Sequence, residues 1–144
     1  MRVLQLTNNN IGAVAVNTLM PLGTVTRKYC CGTAGKNTFA VSTSGANTIT
    51  LNDSGYYKID YDASVTTAAT GTLELDMLVS GAKVVSAVET ITTAGTKSCS
   101  LSYVARVLPC SCAVATPVTV QIQNASGSVA LTAGTSNIIV EKIG

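Results

Sequence analysis

Two pairs of carboxylates are the side chains in this sequence whose types and spacing could support acid–base chemistry. Asp60 and Asp62 form one pair, and Glu74 and Asp76 form the other. Residues two apart on a β-strand point to the same side, so each pair would present two carboxylates together, as glycosidases and cation sites do. The same spacing is typical of the solvated face of a strand, and we favour that interpretation.

Histidine is absent from the chain. Its absence removes the commonest general base, the Ser-His and Cys-His nucleophile pairs, and the commonest metal ligand. The sequence also has no DxDxDG loop of the kind that binds calcium. We therefore predict that the protein is not an enzyme.

Cysteine is the remaining residue type with chemical potential. An odd number of cysteines without an export signal favours free buried thiols. A zinc site stays open as the alternative, although adjacent and CxC pairs differ from the CxxC spacing of structural zinc. The stretch "CGTAGKNT", from Cys31 to Thr38, lacks the spacing of a phosphate-binding loop. We expect no cofactor and no metal. The five cysteines are Cys30, Cys31, Cys99, Cys110 and Cys112.

The composition limits the choice of partner. Charged residues make up 11% of the chain, hydrophobic residues 47%, and the net charge is +2. Without a basic run, nucleic acid is a poor partner, and no apolar run approaches the roughly 20 residues of a membrane-spanning helix. The opening "MRVLQLTNNN" lacks the apolar core of a secretion signal, so we expect no ordinary export. A mean hydropathy of +0.39 with so few charges predicts burial of surface against other chains.

Period-2 alternation recurs along the chain and predicts an all-β, antiparallel β-sandwich. The clearest strands are "YYKIDYDASVT", "TLELDMLV", "KSCSLSYVARVL" and "TPVTVQIQN", and "SNIIVEKIG" predicts a central terminal strand. The turns "NDSG" and "SG" contain residues that favour tight reversals. We expect one domain over residues 27–144, preceded by residues 1–26 as an arm or first strand.

Three tyrosines fall within six positions of "SGYYKIDYD". Tyr57 and Tyr61 share a strand face with Ile59, which favours core packing, whereas Tyr56 shares the other face with charged residues. A tyrosine on such a face suits a subunit interface, and stacking on a sugar remains the alternative. The candidate residues for a trimer interface or for core aromatic packing are Tyr56, Tyr57, Tyr61, Tyr103 and Ile139.

The order of these segments resembles the TNF-like trimeric jelly rolls, which include complement globular heads and the C-terminal domains of collagen-like exosporium glycoproteins. The resemblance covers roughly Phe39 to Ile143. It rests on "TITLNDSGYYKIDYDASV", "LELDMLVSGAKV", "CSLSYVARVL", "VTVQIQNAS" and "SNIIVEKIG". It implies a ten-stranded jelly roll that assembles as a homotrimer.

The sequence contains no Gly-X-Y repeat and opens with a short apolar arm. A trimeric head with such an arm and no collagen stalk resembles phage head-fibre or capsid-decoration proteins. We therefore expect a non-enzymatic structural protein of a virion surface, assembled in the host cytoplasm. Its expected partners are further copies of itself and a major capsid or other virion protein. The candidate attachment residues are Val3, Leu4, Leu6, Ile11 and Val14.

A carbohydrate-binding or adhesion module of a phage tail, spore or cell surface is the alternative function. In that case the exposed loops at Thr66 to Gly71 or Ala94 to Lys97 would form the binding rim. The partner would then be a host-surface glycan.

Overall fold

The computed structural model describes residues 2–30, 38–42, 46–109 and 117–144. Within these ranges the chain forms eleven strands and no helix. Accordingly, the described part of the chain offers no helix of the length and apolarity that a membrane crossing requires. In chain order the strands are β1 (Arg2–Asn8), β2 (Thr18–Leu19), β3 (Thr24–Cys30), β4 (Phe39–Val41), β5 (Ile49–Leu51), β6 (Gly55–Thr67), β7 (Gly71–Val79), β8 (Ala82–Ile91), β9 (Gly95–Val107), β10 (Val118–Asn124) and β11 (Leu131–Lys142).

The strands form two antiparallel sheets. The first sheet has the order β3-β1-β11-β6-β9, and the second has the order β4-β5-β10-β7-β8, with the short β2 paired to the end of β10. The last strand lies in the middle of the first sheet, between β1 and β6. The prediction of an all-β antiparallel sandwich is confirmed.

Alternate side chains of the long strands fill the space between the sheets. On β6, Tyr57, Ile59 and Tyr61 are fully buried, whereas Lys58 on the opposite side stays exposed. Successive residues of a strand face opposite sides, so the period-2 pattern decides which residues form the core. The ring of Phe39 meets that of Tyr57 edge-on, with the centroids 6.0 Å apart and the planes at 77°. Aromatic pairs prefer this geometry, which here links the two sheets.

Two tight approaches of the backbone depend on glycine. Ser80 and Gly81 join β7 to β8 with φ values of 51° and 82°. Both values lie in the left-handed region that a two-residue hairpin of this kind requires. At the start of β6, a side chain on Gly55 would collide with the carbonyl oxygen of Gly144. Glycine at this position therefore lets the end of the chain run beside β6.

The N-terminal residues are part of the sandwich. Val3, Leu4 and Leu6 lie on β1, which pairs with β11 on one side and β3 on the other. Leu4 and Leu6 are fully buried, and Val3, Ile11 and Val14 are each less than 9% exposed. The amides of Ile11 and Val14 donate to carbonyl oxygens of β11 at 2.9 and 3.0 Å. The expectation of an attachment arm is corrected here for Leu4, Leu6, Ile11 and Val14, because the chain's own core already uses these side chains. Val3 lies on the outer face of the first sheet, between Tyr29 and Glu141, and an attachment role for it stays a prediction.

The boundary expected between residues 26 and 27 falls inside β3 and marks no division of the fold.

A buried side-chain amide on β10 links the N-terminal segment to the second sheet. Asn124 is fully buried, and its side-chain nitrogen donates to the carbonyl oxygens of Val14 at 3.4 Å and Val129 at 3.1 Å. Its side-chain oxygen accepts from the Ser126 amide at 3.2 Å. Buried polar groups require such partners, so Asn124 ties three segments together.

Candidate functional site

The first pair of carboxylates lies on the outer face of the first sheet. Asp60 is half-buried and Asp62 is exposed. Asp60 accepts a hydrogen bond from the Ser102 hydroxyl at 2.8 Å, and Asp62 accepts one from the Ser100 hydroxyl at 2.6 Å. The Lys58 ammonium lies 3.7 Å from Asp60. Both carboxylates are therefore part of the polar outer surface that β6 and β9 form together.

The second pair lies on the outer face of the second sheet and is less solvated than the sequence pattern indicates. Asp76 is only 5% exposed and accepts a hydrogen bond from the Ser86 hydroxyl at 2.6 Å. A hydrogen bond with Asp76, together with burial, raises the pKa of Glu74, while Lys83 at 3.9 Å acts in the opposite direction. The expectation of a solvated strand face is corrected for Asp76, because the neighbouring strands cover it.

Neither pair belongs to a described group of side chains that could hold a metal ion. Among the described residues, no group of three or more cysteine, aspartate or glutamate side chains is close enough to hold an ion. Burial raises the pKa of the Cys99 thiol, with a smaller contribution from Glu89, so this thiol is a poor nucleophile. The Cys30 side chain, Cys31, Cys110, Cys112 and most of the "CGTAGKNT" stretch lie outside the described residues.

The outer face of the first sheet divides into two ends of different chemistry. Strand register places the same-face side chains in rows that cross β3, β1, β11, β6 and β9. We call the end near the start of β6 the apolar end, which contains Tyr29, Tyr56, Val104 and Ile143, with Leu108 directly after β9. We call the other end the hydroxyl groove, which is lined by Thr7, Asn9, Asp62, Ser64, Ser98, Ser100, Thr135 and Asn137.

The apolar end concentrates exposed hydrophobic surface. Its five members are between 46% and 64% exposed, and they are five of the seven large apolar side chains that are exposed in the described ranges. Tyr56 pairs across the sheet with Arg106, whose guanidinium carbon lies 5.6 Å from the ring centroid. That contact holds the tyrosine ring in place on the surface. In the row that crosses this end, Glu141 and Lys58 lie between Tyr29 on β3 and Val104 on β9, so the exposed apolar groups share one end of the sheet but are interrupted by charged side chains.

The hydroxyl groove is an open depression of about 500 Å³. It exists because its walls are short side chains and its floor is backbone at Ala63, Cys99 and Ser136, whose side chains point to the core. A hydrogen-bonded series organises the polar groups beside it. Arg27 donates to Gln5 at 2.9 Å, and Gln5 donates to Asn137 at 2.8 Å. The groove presents mainly neutral donors and acceptors, with Asp62 as its one carboxylate.

The five candidate interface or core residues lie in two different environments, the core and the outer face of the first sheet. Tyr57 and Tyr61 are fully buried, and Tyr103 is partly buried against the core. Tyr56 lies on the apolar end, and Ile139 lies on the same outer face, opposite Gln5. An interface role for Tyr56 and Ile139 stays a prediction.

Four members of the apolar end were not anticipated, namely Tyr29, Val104, Leu108 and Ile143. Val104 occupies a polar position in the alternation "KSCSLSYVARV", and an apolar residue out of phase is the signal that points to it. Tyr29 and Ile143 carry no comparable signal, because their neighbours on the face come from distant parts of the chain.

Comparison with known proteins gives likeness in structure only. No protein-family model and no curated protein sequence matches this chain. The fold is similar to the globular domain of zebrafish complement 1qA protein, with a TM-score of 0.70 and 14% identity over 100% of this chain and 98% of that chain. It is also similar to the TNF Eiger of S. frugiperda, with a TM-score of 0.71 and 9% identity over 99% and 92% of the two chains.

A third similar structure is the vertex protein of the phage PRD1. Here the TM-score is 0.62 and the identity 19%, over 100% of this chain and 74% of that chain. Identities at this level establish the fold alone. The chain therefore has a TNF-like jelly-roll fold, and that fold is compatible with a structural or surface module.

Proposed function

We propose that the protein is a non-enzymatic structural protein of a virion surface, of the capsid-decoration or head-fibre kind, and that it works as a homotrimer. The observation that carries the proposal is the likeness to the PRD1 vertex protein over the whole of this chain. The sheets that produce this likeness leave an apolar surface uncovered on the outer face of the first sheet.

Self-association is supported by composition and by surface. Charged residues are only 11% of the chain, and exposed apolar side chains gather at one end of one sheet. Subunit interfaces are enriched in tyrosine and depleted in charge at their centre. The trimer is the assembly that the resemblance to TNF-like jelly rolls implies, and three-fold closure leaves no surface for further growth.

A structural role is also supported by the chemistry that the described residues present. Asp60 and Asp62 accept hydrogen bonds from serine hydroxyls, Glu74 and Asp76 lie on the other sheet from the groove, and the Cys99 thiol is buried. The partner on the particle would be a major capsid or other virion protein, and the protein would join particles in the host cytoplasm.

The test is to locate the protein on particles. Virus particles made from the genome that encodes this chain are purified on a density gradient and labelled with gold-coupled antibody against the chain. We expect the label on the particle surface and the protein in the particle band. Label restricted to cell or spore surfaces, with none in the particle band, would refute the virion assignment.

The hydroxyl groove favours a second candidate, a carbohydrate-binding module. Its hydroxyl and amide groups could bond to sugar hydroxyls, although the groove itself contains no aromatic ring for stacking. A glycan array separates the candidates, because specific binding that is lost on Asn137→Leu but kept on Tyr56→Ala would assign sugar recognition to the groove. Binding lost on Tyr56→Ala alone would move it to the apolar end.

A further inference from the structure

Three basic side chains lie together where β1 begins and β11 ends, on the side of the first sheet that faces the second sheet. Arg2 on β1 lies opposite Lys142 on β11, and Lys28 on β3 lies opposite Leu4. Leu4 is fully buried between the sheets, and residues two apart or directly opposite share a face, so all three basic side chains have its orientation. We call Arg2, Lys28 and Lys142, together with Asp53, the basic end.

Asp53 neutralises only one of the three cations. It lies in the turn between β5 and β6, pairs with Arg2, and accepts a hydrogen bond from the Thr38 hydroxyl at 2.8 Å. Within the described ranges, neither Lys28 nor Lys142 makes an ion pair. Lys28 is exposed and Lys142 is half-buried. The basic end therefore presents two ammonium groups that have no acidic partner in the subunit.

The whole net charge of the chain is located at the basic end. The sequence has nine basic and seven acidic residues, which gives a net charge of +2. Three of the nine basic residues and one of the seven acidic residues belong to the basic end, so six of each sign remain elsewhere and cancel. Such a concentration of charge attracts a partner of opposite sign to one place on the molecule.

The type of cation indicates the type of anion. Planar, bidentate recognition of phosphate uses the arginine fork, and here Arg2 is already paired with Asp53. Lys28 and Lys142 offer compact charges without a fixed direction of approach, which suits single carboxylates. A nucleic-acid surface needs a longer run of basic side chains and a higher isoelectric point than the 8.3 of this chain. An acidic protein surface is the partner that fits.

We propose that the protein docks on the particle through its basic end and that the partner is a patch of aspartate and glutamate side chains on another virion protein. This inference rests on the proposed function and names the contact surface that the function requires. The N-terminal arm does not supply that surface, because four of its five candidate residues belong to the core. A homotrimer presents three basic ends related by rotation, so ion pairs that are weak singly act together.

The test measures binding of the purified protein to particles that lack it, made from a genome with this gene deleted. Binding is followed by co-sedimentation over a range of protein concentrations. The variant carries Lys28→Gln and Lys142→Gln. The matched control carries Lys83→Gln and Lys97→Gln, which remove the same charge from a site beside Glu74 on the other sheet and from the opposite end of β9. Circular dichroism and light scattering check folding and mass.

The double variant at the basic end should raise the dissociation constant by about tenfold or more, because it removes both unpaired cations of each subunit. The control should bind as the unmodified protein does. Binding of the unmodified protein should weaken when salt is raised from about 50 mM to about 500 mM, since salt screens ion pairs at a surface.

The outcomes separate the inference from the proposed function. If the unmodified protein binds no particles, both fail. If it binds and the basic-end variant binds equally well, or the control weakens as much, the basic end is not the contact and the proposed function stands. Binding that disappears when the particles are treated with nuclease would assign the partner to nucleic acid and overturn the inference. Should the double variant fail to fold, Lys28→Glu, at an exposed edge position, replaces it.

Discussion

The two fully buried tyrosines of β6 should respond in opposite ways to loss of their hydroxyl groups. The Tyr57 hydroxyl donates to the carbonyl oxygen of Asp53 at 2.6 Å. The Tyr61 hydroxyl lies beside that of Ser136, and neither oxygen has a partner in hydrogen-bond geometry within the described ranges. Tyr57→Phe and Tyr61→Phe each remove one oxygen from the same strand and the same core, so each variant is the control for the other.

The magnitudes follow from the hydrogen bonds. A net hydrogen bond contributes about 1 kcal/mol, so Tyr57→Phe should lower the free energy of unfolding by about that amount. A buried hydroxyl without a partner costs about 1–3 kcal/mol, and Tyr61→Phe removes this cost. We expect Tyr61→Phe to leave the free energy of unfolding unchanged or to raise it. A difference of about 1 kcal/mol between the variants corresponds to about 2–4 °C in melting temperature.

The assay is urea denaturation of both variants at one fixed protein concentration, because self-association makes apparent stability depend on concentration. Midpoints are compared after checking that the m-values agree. If Tyr61→Phe loses as much stability as Tyr57→Phe, the Tyr61 hydroxyl has a hydrogen-bond partner in the folded protein, which contradicts the prediction.

The alkaline limb of stability gives a second measure of the same pair. Burial raises the pKa of Tyr57 to about 12, and burial raises the pKa of Tyr61 as well. An unfolded tyrosine ionises near pH 10, so the unfolded chain releases these protons first as the pH rises. The stability involved is complete below about pH 10 and is lost as the pH rises through the folded-state values. Each phenylalanine variant should lose less stability than the unmodified protein over this range.

Two further predictions concern polar side chains of the second sheet. Asn124→Ala should lower the free energy of unfolding by about 1–3 kcal/mol, because it removes the side-chain donor to the Val129 carbonyl oxygen and the acceptor of the Ser126 amide. The Val14 carbonyl oxygen keeps the Leu131 amide as its donor. Urea denaturation measures the loss. Glu74→Gln should raise stability at neutral pH relative to acid pH. The pKa of Glu74 is raised by its hydrogen bond with Asp76, so its contribution is present at low pH and is lost as the pH rises through that value.

The controls for these two variants come from exposed positions of the same chemistry. Asn9→Ala, at an exposed site, should change stability little, and an equal loss would contradict the structural role of Asn124. Asp62→Asn is the control for Glu74→Gln, because Asp62 is an exposed carboxylate on the other sheet. If Glu74→Gln shows the same dependence on pH as the unmodified protein, the two carboxyl groups do not share a proton.

The sequence predicts much of the fold because strand alternation is a local property. The inward faces of β6, β9 and β11 follow from the period-2 pattern, as Tyr57 on β6 and Leu101 on β9 illustrate. The role of the N-terminal segment could not be predicted from its sequence pattern. Its apolar residues have no distinctive period, and only the pairing of β1 with β11, more than 100 residues away, shows that they belong to the core.

The site was less predictable than the fold, for a related reason. The hydroxyl groove is formed by short side chains from four strands that lie far apart in the sequence, and no single segment carries its pattern. Asp76 shows the same limit, because its burial depends on Ser86 and its neighbours on β8. Tyr56 could be assigned to the outer face from alternation, but its neighbours Arg106 and Ile143 required the sheet.

Association between copies of the chain is the property on which the proposed function most depends. Light scattering coupled to size exclusion, carried from micromolar protein through serial dilution, measures this directly. A homotrimer in solution has a mass of three times 14.7 kDa, and we expect this mass at micromolar concentration. A mass of one chain at every concentration would contradict it.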